Sequence, residues 1–339
     1  MAGNAEQASV GPGKVGRYFT VVSFLPSAVL VAYVVFLIRT GAWTGPVNLS
    51  AVAVGFDLGS VALVGIASLL VALTLNPLQF ALIQLFEGYW GVTKLGHDLQ
   101  LLRLRHHRRR KAWLERQHKH ADRGLERYGG VEDASAPDEA LALSITANET
   151  DRLIGYYPKK FEDVLPTRLG NVLRRYERNV GSTYGLDLIL SAPRLAMVGQ
   201  QREVDYVQNQ RVQLELAVRT SFLSLVAVAV TVAFMWRHGF WLLLALGPYL
   251  VAYLSYRGAV VLAHEYGTAL AVLLELNRFT LYEKLHHPVP DRPLVEVRQN
   301  EKLMEAFRYE PKVDLRYEHP VTTTADTAAT PPPDNDETP

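Results

Sequence analysis

Four long apolar stretches, arranged as two pairs, constrain this chain more than any other feature of its sequence. The first pair is Tyr18 to Ile38 and Gly59 to Phe86, and the second is Thr220 to Trp236 and Phe240 to Tyr256. About 20 helical residues cross a hydrocarbon core of roughly 30 Å, and a helix satisfies its own backbone in lipid. We therefore predict an all-α polytopic membrane protein with four transmembrane helices in two hairpins and long cytoplasmic helical extensions.

The average composition conceals this pattern. Hydrophobic residues make up 49% of the chain, the mean hydropathy is +0.04 and the net charge is +1. These near-neutral averages arise because apolar spans alternate with charged segments. The lack of cysteine excludes disulfides and thiol chemistry. The first apolar run is longer than the core of a signal peptide and no small-x-small site follows it, so we interpret it as a span.

Lysine and arginine residues at the ends of the spans predict the orientation. One side has only Arg39 and Arg237. The other side has many more cations: Lys14, Arg17, Lys94, Arg103, Arg105, Arg211, Arg219 and Arg257. We expect a multi-pass protein of the cell (plasma) membrane with both termini and the central segment in the cytoplasm.

The same pattern predicts six segments along the chain. They are a cytoplasmic tail (1–17), the first transmembrane hairpin (18–90), a cytoplasmic helical stalk and central region (91–219), the second hairpin (220–257), a cytoplasmic helical extension (258–287) and a C-terminal segment (288–339) that is disordered from about residue 322. We expect span two to continue as a long stalk that ends at Gly129-Gly130, and a loop from Glu132 to Asp138. Helical extensions are also expected before span three and after span four, and Thr167 is expected to cap a helix that includes Leu169.

Two motifs lie in the central region between the hairpins. They are LPTRLGNVLRR at residues 165–175 and YGLD at residues 184–187. With these motifs between two membrane hairpins, the chain resembles a family of uncharacterised actinobacterial four-span integral membrane proteins. The resemblance implies the same topology and brings no activity with it.

Polar residues interrupt the second apolar stretch at Asn76, Gln79 and Gln84, next to Pro77. Proline removes a backbone donor, so these side chains can mark a kink and a polar stripe that lines a pore. Alternatively, asparagine and glutamine hydrogen-bond neighbouring helices together while Pro77 begins the cytoplasmic helix. Both interpretations are compatible with the sequence.

Arg257 lies at the inner end of span four. A carboxylate such as Glu87 or Asp98 is a candidate partner, and an Arg257–Glu87 ion pair at the membrane boundary would join the two hairpins. A proton relay is a sharper alternative, and an arginine that extends to lipid phosphates is a simpler one.

The start of the stalk and the central region are rich in cations that predict contacts with other molecules. On the stalk, lipid headgroups or a partner are expected to contact Arg103, Arg105, Arg108, Arg109, Arg110 and Lys111, although a solvated helix face has the same composition. The candidate surface for a cytoplasmic partner contains Arg168, Arg174 and Arg175. Nucleic acid is not an expected partner. Neighbouring histidines on this helix point in different directions, so we expect no metal site.

No pattern typical of a catalytic, cofactor or metal site is present in the sequence. We therefore expect a non-enzymatic oligomeric scaffold or regulator that lies in the lipid bilayer, associates with itself and binds a cytoplasmic protein through its helical bundle. The alternative is an oligomeric ion channel with span two lining the pore, a topology similar to that of bestrophin-type channels.

Overall fold

The computed structural model describes residues 19–48, 57–91, 93–128, 137–311 and 313–319. Most of these residues are helical, and none of them forms a β-strand. Four helices are long and apolar enough to cross a membrane: Phe19–Arg39, Leu58–Leu75, Gln201–Met235 and Gly239–Lys284. The predicted all-α polytopic fold is confirmed. The tail 1–17, the Gly129-Gly130 pair and the segment from 322 onward lie outside the described residues, as does most of the predicted loop from Glu132.

The first hairpin pairs α1 (Leu25–Arg39) with α2 (Leu58–Leu75), and a π-helical turn, Phe19–Phe24, leads into α1. Asp57 begins α2 as its N-cap, because its carboxylate accepts a 3.2 Å hydrogen bond from the backbone N–H of Ser60. Eighteen residues give α2 a length of about 27 Å, which is enough to cross a hydrocarbon core.

The second span ends earlier than predicted. After α2 the helix breaks at Asn76, Pro77 and Leu78, and a short helix, α3 (Gln79–Glu87), follows. A second break contains Gly88 and Gly91, with φ of +105° and +79°, before α4 (Lys94–Arg127) begins. The prediction of one continuous stalk is wrong because Pro77 lacks the N–H that would continue the helix and because left-handed backbone at Gly88 ends α3.

The stalk helix α4 packs mainly along α5 (Pro137–Ile154) as an antiparallel hairpin. His118 of α4 lies 3.2 Å from the carbonyl oxygen of Ala147 of α5. Since α5 already begins at Pro137, the last two residues of the predicted loop, Pro137 and Asp138, are helical.

The central motif folds into short helices, as predicted. They are α6 (Arg168–Asn179), a 3-10 turn at Gly181–Tyr184 and α7 (Leu188–Val198). Thr167 caps α6, because its hydroxyl oxygen accepts a 3.0 Å hydrogen bond from the N–H of Gly170. The predicted cap is therefore confirmed.

Two long helices connect the second hairpin to the rest of the chain. They are α8 (Gln201–Met235) and α9 (Leu246–Lys284), joined through a 3-10 turn at Gly239–Ala245. With 35 and 39 residues they are about 52 and 58 Å long, so both extend well beyond a hydrocarbon core of roughly 30 Å. The predicted extensions of spans three and four are confirmed.

The main core lies where the extended parts of α8 and α9 meet α6, α7 and α10 (Pro293–Phe307). Its centre is a set of fully or almost fully buried side chains: Leu169, Val172, Leu195, Leu214, Leu274 and Met304. The LPTRLGNVLRR motif at the start of α6 thus packs against α9, the helix that continues span four.

Candidate functional site

A buried arginine of α8 holds the break in the second span. Arg219 is 0% exposed, and its Nε donates a 2.9 Å hydrogen bond to Oε1 of Gln79. Its Nη1 and Nη2 donate to the carbonyl oxygens of Val22 and Leu75, at 3.3 and 3.4 Å. In a continuous helix the N–H of Gln79 would donate to Leu75, but here it donates to the carbonyl oxygen of Asn76. Arg219 therefore satisfies a carbonyl that the break leaves open, at a helix end where positive charge is favourable.

The three polar candidates of the second span have different surroundings. Gln79 is buried, and its Nε2 donates a 3.2 Å hydrogen bond to the carbonyl oxygen of Glu215. Asn76 is exposed and accepts a 3.4 Å hydrogen bond from the hydroxyl of Ser23. Gln84 is half-buried on α3. Gln79 thus joins helices, whereas a pore-lining role for Asn76 and Gln84 stays a prediction.

Sequence reasoning missed Arg219, which it counts only among the cations that flank span three. The signal was its apolar surroundings, because Leu214, Val218 and Leu223 on the same helix are all buried. A cation inside an apolar helical stretch is typical of a charge that faces the interior of a membrane protein. The pairing of Arg219 with Gln79 on another helix could not be predicted from the sequence.

The predicted ion pair between Arg257 and Glu87 is not formed. In the described part of the chain no ion pair joins Arg257 to Glu87 or to Asp98, and the Arg257 guanidinium lies 6.0 Å from the ring centre of Tyr253. The carboxyl group of Glu87 instead has Glu177 and Arg174 as its charged neighbours.

The surroundings of Glu87 predict a pH-dependent stability. Burial and the nearby Glu177 raise its pKa from 4.5 to about 7, although Arg174 opposes the shift. Between these values the folded protein holds a proton that the unfolded chain has lost, so stability decreases as the pH rises through this window. We expect Glu87→Gln to raise the melting temperature at pH 8 and to change it little near pH 5.

Glu162→Gln is the matched control for this measurement, because the Glu162 side chain is 75% exposed. Its melting temperature should follow that of the wild type at both pH values. An equal gain from Glu87→Gln at pH 5 and pH 8 would contradict the assignment of the raised pKa to Glu87.

The basic residues predicted on α4 differ in their exposure to solvent. Arg103, Arg105, Arg108 and Arg109 are exposed, as expected for contact with other molecules. Lys111 is only 1% exposed, and its ammonium donates to the carbonyl oxygens of Pro158 and Lys159, at 2.7 and 2.6 Å. Lys111 is therefore a structural residue, and its predicted contact with lipid or a partner is wrong.

Arg110, the remaining member of this set, is half-buried and lines a cavity between α4, α5, α6 and α9. The cavity volume is about 170 Å³. Four arginines from four helices converge on it, namely Arg110, Arg152, Arg168 and Arg257. The described lining residues include no carboxylate. Two residues predicted for separate roles, Arg168 and Arg257, thus belong to one cavity.

A buried histidine, His107, lies next to this cavity. Nδ1 of His107 lies 3.0 Å from the hydroxyl of Tyr157, a lining residue, and its ring is 1% exposed. Burial, together with nearby cations that include Arg103 and Arg110, lowers the pKa of His107 to about 4. The imidazole is therefore neutral at physiological pH.

The other two members of the predicted partner surface bind within the chain. Arg174 donates to the hydroxyl of Tyr89 and lies 3.4 Å from a carboxylate oxygen of Glu177, and its side chain is 18% exposed. Arg175 donates to the carbonyl oxygen of Gly155. The sequence places Arg168, Arg174 and Arg175 close together, but the fold separates their contacts.

Metal ligands do not cluster in the described residues, where no three His, Asp or Glu side chains are arranged to hold an ion. The geometry offers two features, which are a buried polar contact at the break in span two and a cationic cavity between α4, α5, α6 and α9. No protein-family model, no curated protein and no solved structure matches this chain.

Proposed function

We propose that the protein is a non-enzymatic, oligomeric membrane scaffold or regulator that binds a cytoplasmic protein on the outer face of α4. One observation carries the proposal: Leu95, Leu99 and Leu102 are 85%, 50% and 64% exposed. At 3.6 residues per turn these leucines lie within an arc of about 60° and form one stripe. Exposed apolar stripes of this kind favour an interaction site.

The charges beside the stripe favour an acidic, amphipathic helix as the partner. Arg103 and Arg105 are exposed on the two sides of the stripe, and Arg109 and Trp113 continue it toward the other end of α4. Apolar anchors with flanking cations complement a helix that has leucine-like residues on one face and carboxylates next to them. The contacts of α5 lie farther along α4, at His118 and Gly124, and leave this stripe uncovered.

Site-specific crosslinking tests this function. Because the chain has no cysteine, an introduced cysteine is its single labelling site. We expect Leu99→Cys, labelled with a photoactivatable maleimide in intact cells, to give one discrete adduct with an acidic cytoplasmic protein. A second change, Leu102→Asp, should lower its yield at least about fivefold, since 1 kcal/mol is a factor of about five.

Glu126→Cys is the control, because Glu126 is exposed on the same helix and lies outside the stripe. It should give no such adduct. Adducts of Leu99→Cys with lipid alone, or equal adduct yields from Leu99→Cys and Glu126→Cys, would contradict the proposal. Light scattering in detergent measures the number of subunits.

The ion channel is the second candidate function, and the exposed break in span two favours it. Asn76, Pro77 and Leu78 are exposed on the single chain. Broken backbone at membrane depth is tolerated where protein or water covers it. Unitary currents in a planar bilayer that change in Asn76→Leu would favour this channel over the scaffold.

A further inference from the structure

The cationic cavity carries an inference that is independent of the proposed function, because it concerns a small ligand and not a protein partner. Three of its four arginines, Arg110, Arg168 and Arg257, form no hydrogen bond or ion pair with the residues that the structure describes. We propose that this cavity binds a phosphate group.

Ion pairs within the described chain neutralise one of these four arginines and leave the other three without a carboxylate partner. Arg152 is neutralised by Glu149, whose carboxylate oxygen lies 2.7 Å from the guanidinium. The other three arginines, two exposed and one half-buried, come from α4, α6 and α9 and line the same cavity, with no carboxylate among the described lining residues. The arginines repel one another across such a cavity, and an anion bound between them would attract each of them.

The chemistry of the lining selects phosphate over a simple carboxylate. A guanidinium presents a planar fork of N–H donors that binds two oxygens at once, and phosphate has enough oxygens for several forks. Arg168 is also the first residue of α6, a helix of 12 residues whose N-terminus adds partial positive charge. The cavity volume of about 170 Å³ is more than ten times the roughly 10–15 Å³ that one water molecule needs.

The position of the cavity beside a membrane helix makes a lipid headgroup one possible source of the phosphate. Tyr256 and Arg257 line one side, and they belong to α9, the helix that contains the fourth span. Basic pockets beside membrane helices bind the headgroups of anionic lipids. A phosphate-bearing solute has the same binding chemistry, so the experiment must separate the two sources.

Calorimetric titration of the purified full-length protein in a neutral detergent tests the inference. The probes are inorganic phosphate, short-chain phosphatidylglycerol and short-chain phosphatidylcholine. We expect saturable binding of at least one of the first two probes and weaker binding of the zwitterionic lipid. Arg168→Gln and Arg257→Gln should each weaken binding about tenfold, which corresponds to about 1.4 kcal/mol.

Arg116→Gln is the matched control, since Arg116 is exposed on α4 and does not line the cavity. It should bind like the wild type. Binding of phosphatidylglycerol without inorganic phosphate assigns a lipid headgroup, and similar affinities for both assign a soluble phosphate compound. Lack of binding by all probes, or equal binding by both glutamine variants and the wild type, would overturn the inference.

A stability measurement separates a ligand site from a structural role. Without ligand, Arg168→Gln removes one of three repelling charges, so its melting temperature should equal or exceed that of the wild type. In saturating ligand the order should reverse, because the wild type gains more from binding. A variant that melts lower in both conditions would show that Arg168 supports the fold, and Arg168→Lys, which keeps the charge, then decides whether charge or shape matters.

Discussion

Replacing Arg219 by methionine is expected to destabilise the protein by about 3 kcal/mol, because three buried or partly buried acceptors lose their donor at about 1 kcal/mol or more each. These acceptors are Oε1 of Gln79 and the carbonyl oxygens of Val22 and Leu75. The free energy of unfolding or the melting temperature in detergent measures the effect. Arg202→Met is the control on the same helix, because Arg202 is exposed and should change stability by less than about 0.5 kcal/mol.

A double-mutant cycle identifies the contact responsible for that loss. Gln79→Leu alone leaves the Arg219 charge buried with fewer acceptors, so it should also be strongly destabilising. The double variant Arg219→Met, Gln79→Leu removes both partners and should lose less than the sum of the two single changes. Strict additivity would show that the hydrogen bond between Gln79 and Arg219 does not hold α3 to α8.

Gly267→Ala is expected to have a similarly large effect. A Cβ atom at this position of α9 would lie 2.1 Å from Cδ2 and 2.2 Å from Cγ of Tyr176. The ring cannot move away without cost, since its hydroxyl forms hydrogen bonds of 2.9 Å with both His264 and Thr268. We expect a loss of about 3 kcal/mol, at the upper end of the usual cost of overpacking, and it appears as a lower melting temperature.

Gly258 offers a control for this change on the same helix. A Cβ atom there would meet nothing within 4 Å. Gly258→Ala should therefore stabilise the protein by up to about 1 kcal/mol, because alanine is the better helix former. A stability loss in Gly258→Ala equal to that in Gly267→Ala would point to a general effect of the methyl group and contradict the clash with Tyr176.

Local signals in the sequence predicted most of the helices. Hydropathy located the four spans, and charged residues between them did not prevent recognition of the extensions of spans three and four. Thr167 was recognisable as a cap because capping depends on residue type and short-range spacing, both of which the sequence contains.

Contacts between distant parts of the chain were not predictable in the same way. Spacing along one helix does not say which residue of another helix lies opposite, so the sequence suggested Glu87 for Arg257 and overlooked Gln79 for Arg219. The cavity joins Arg110, Arg168 and Arg257 from segments that are far apart in the chain. Such convergence is a property of packing, and no local pattern contains it.

The two breaks around α3 have a mechanical consequence. The helices α8 and α9 run without interruption from the spans into the extramembrane core, and behave as rods. The chain of span two, by contrast, has joints at Asn76 to Leu78 and at Gly88 to Gly91. A rotation of the extramembrane core would therefore be passed on by the second hairpin and absorbed at the joints of the first. Such a movement would load the contact of Gln79 with Arg219, which joins α3 to α8.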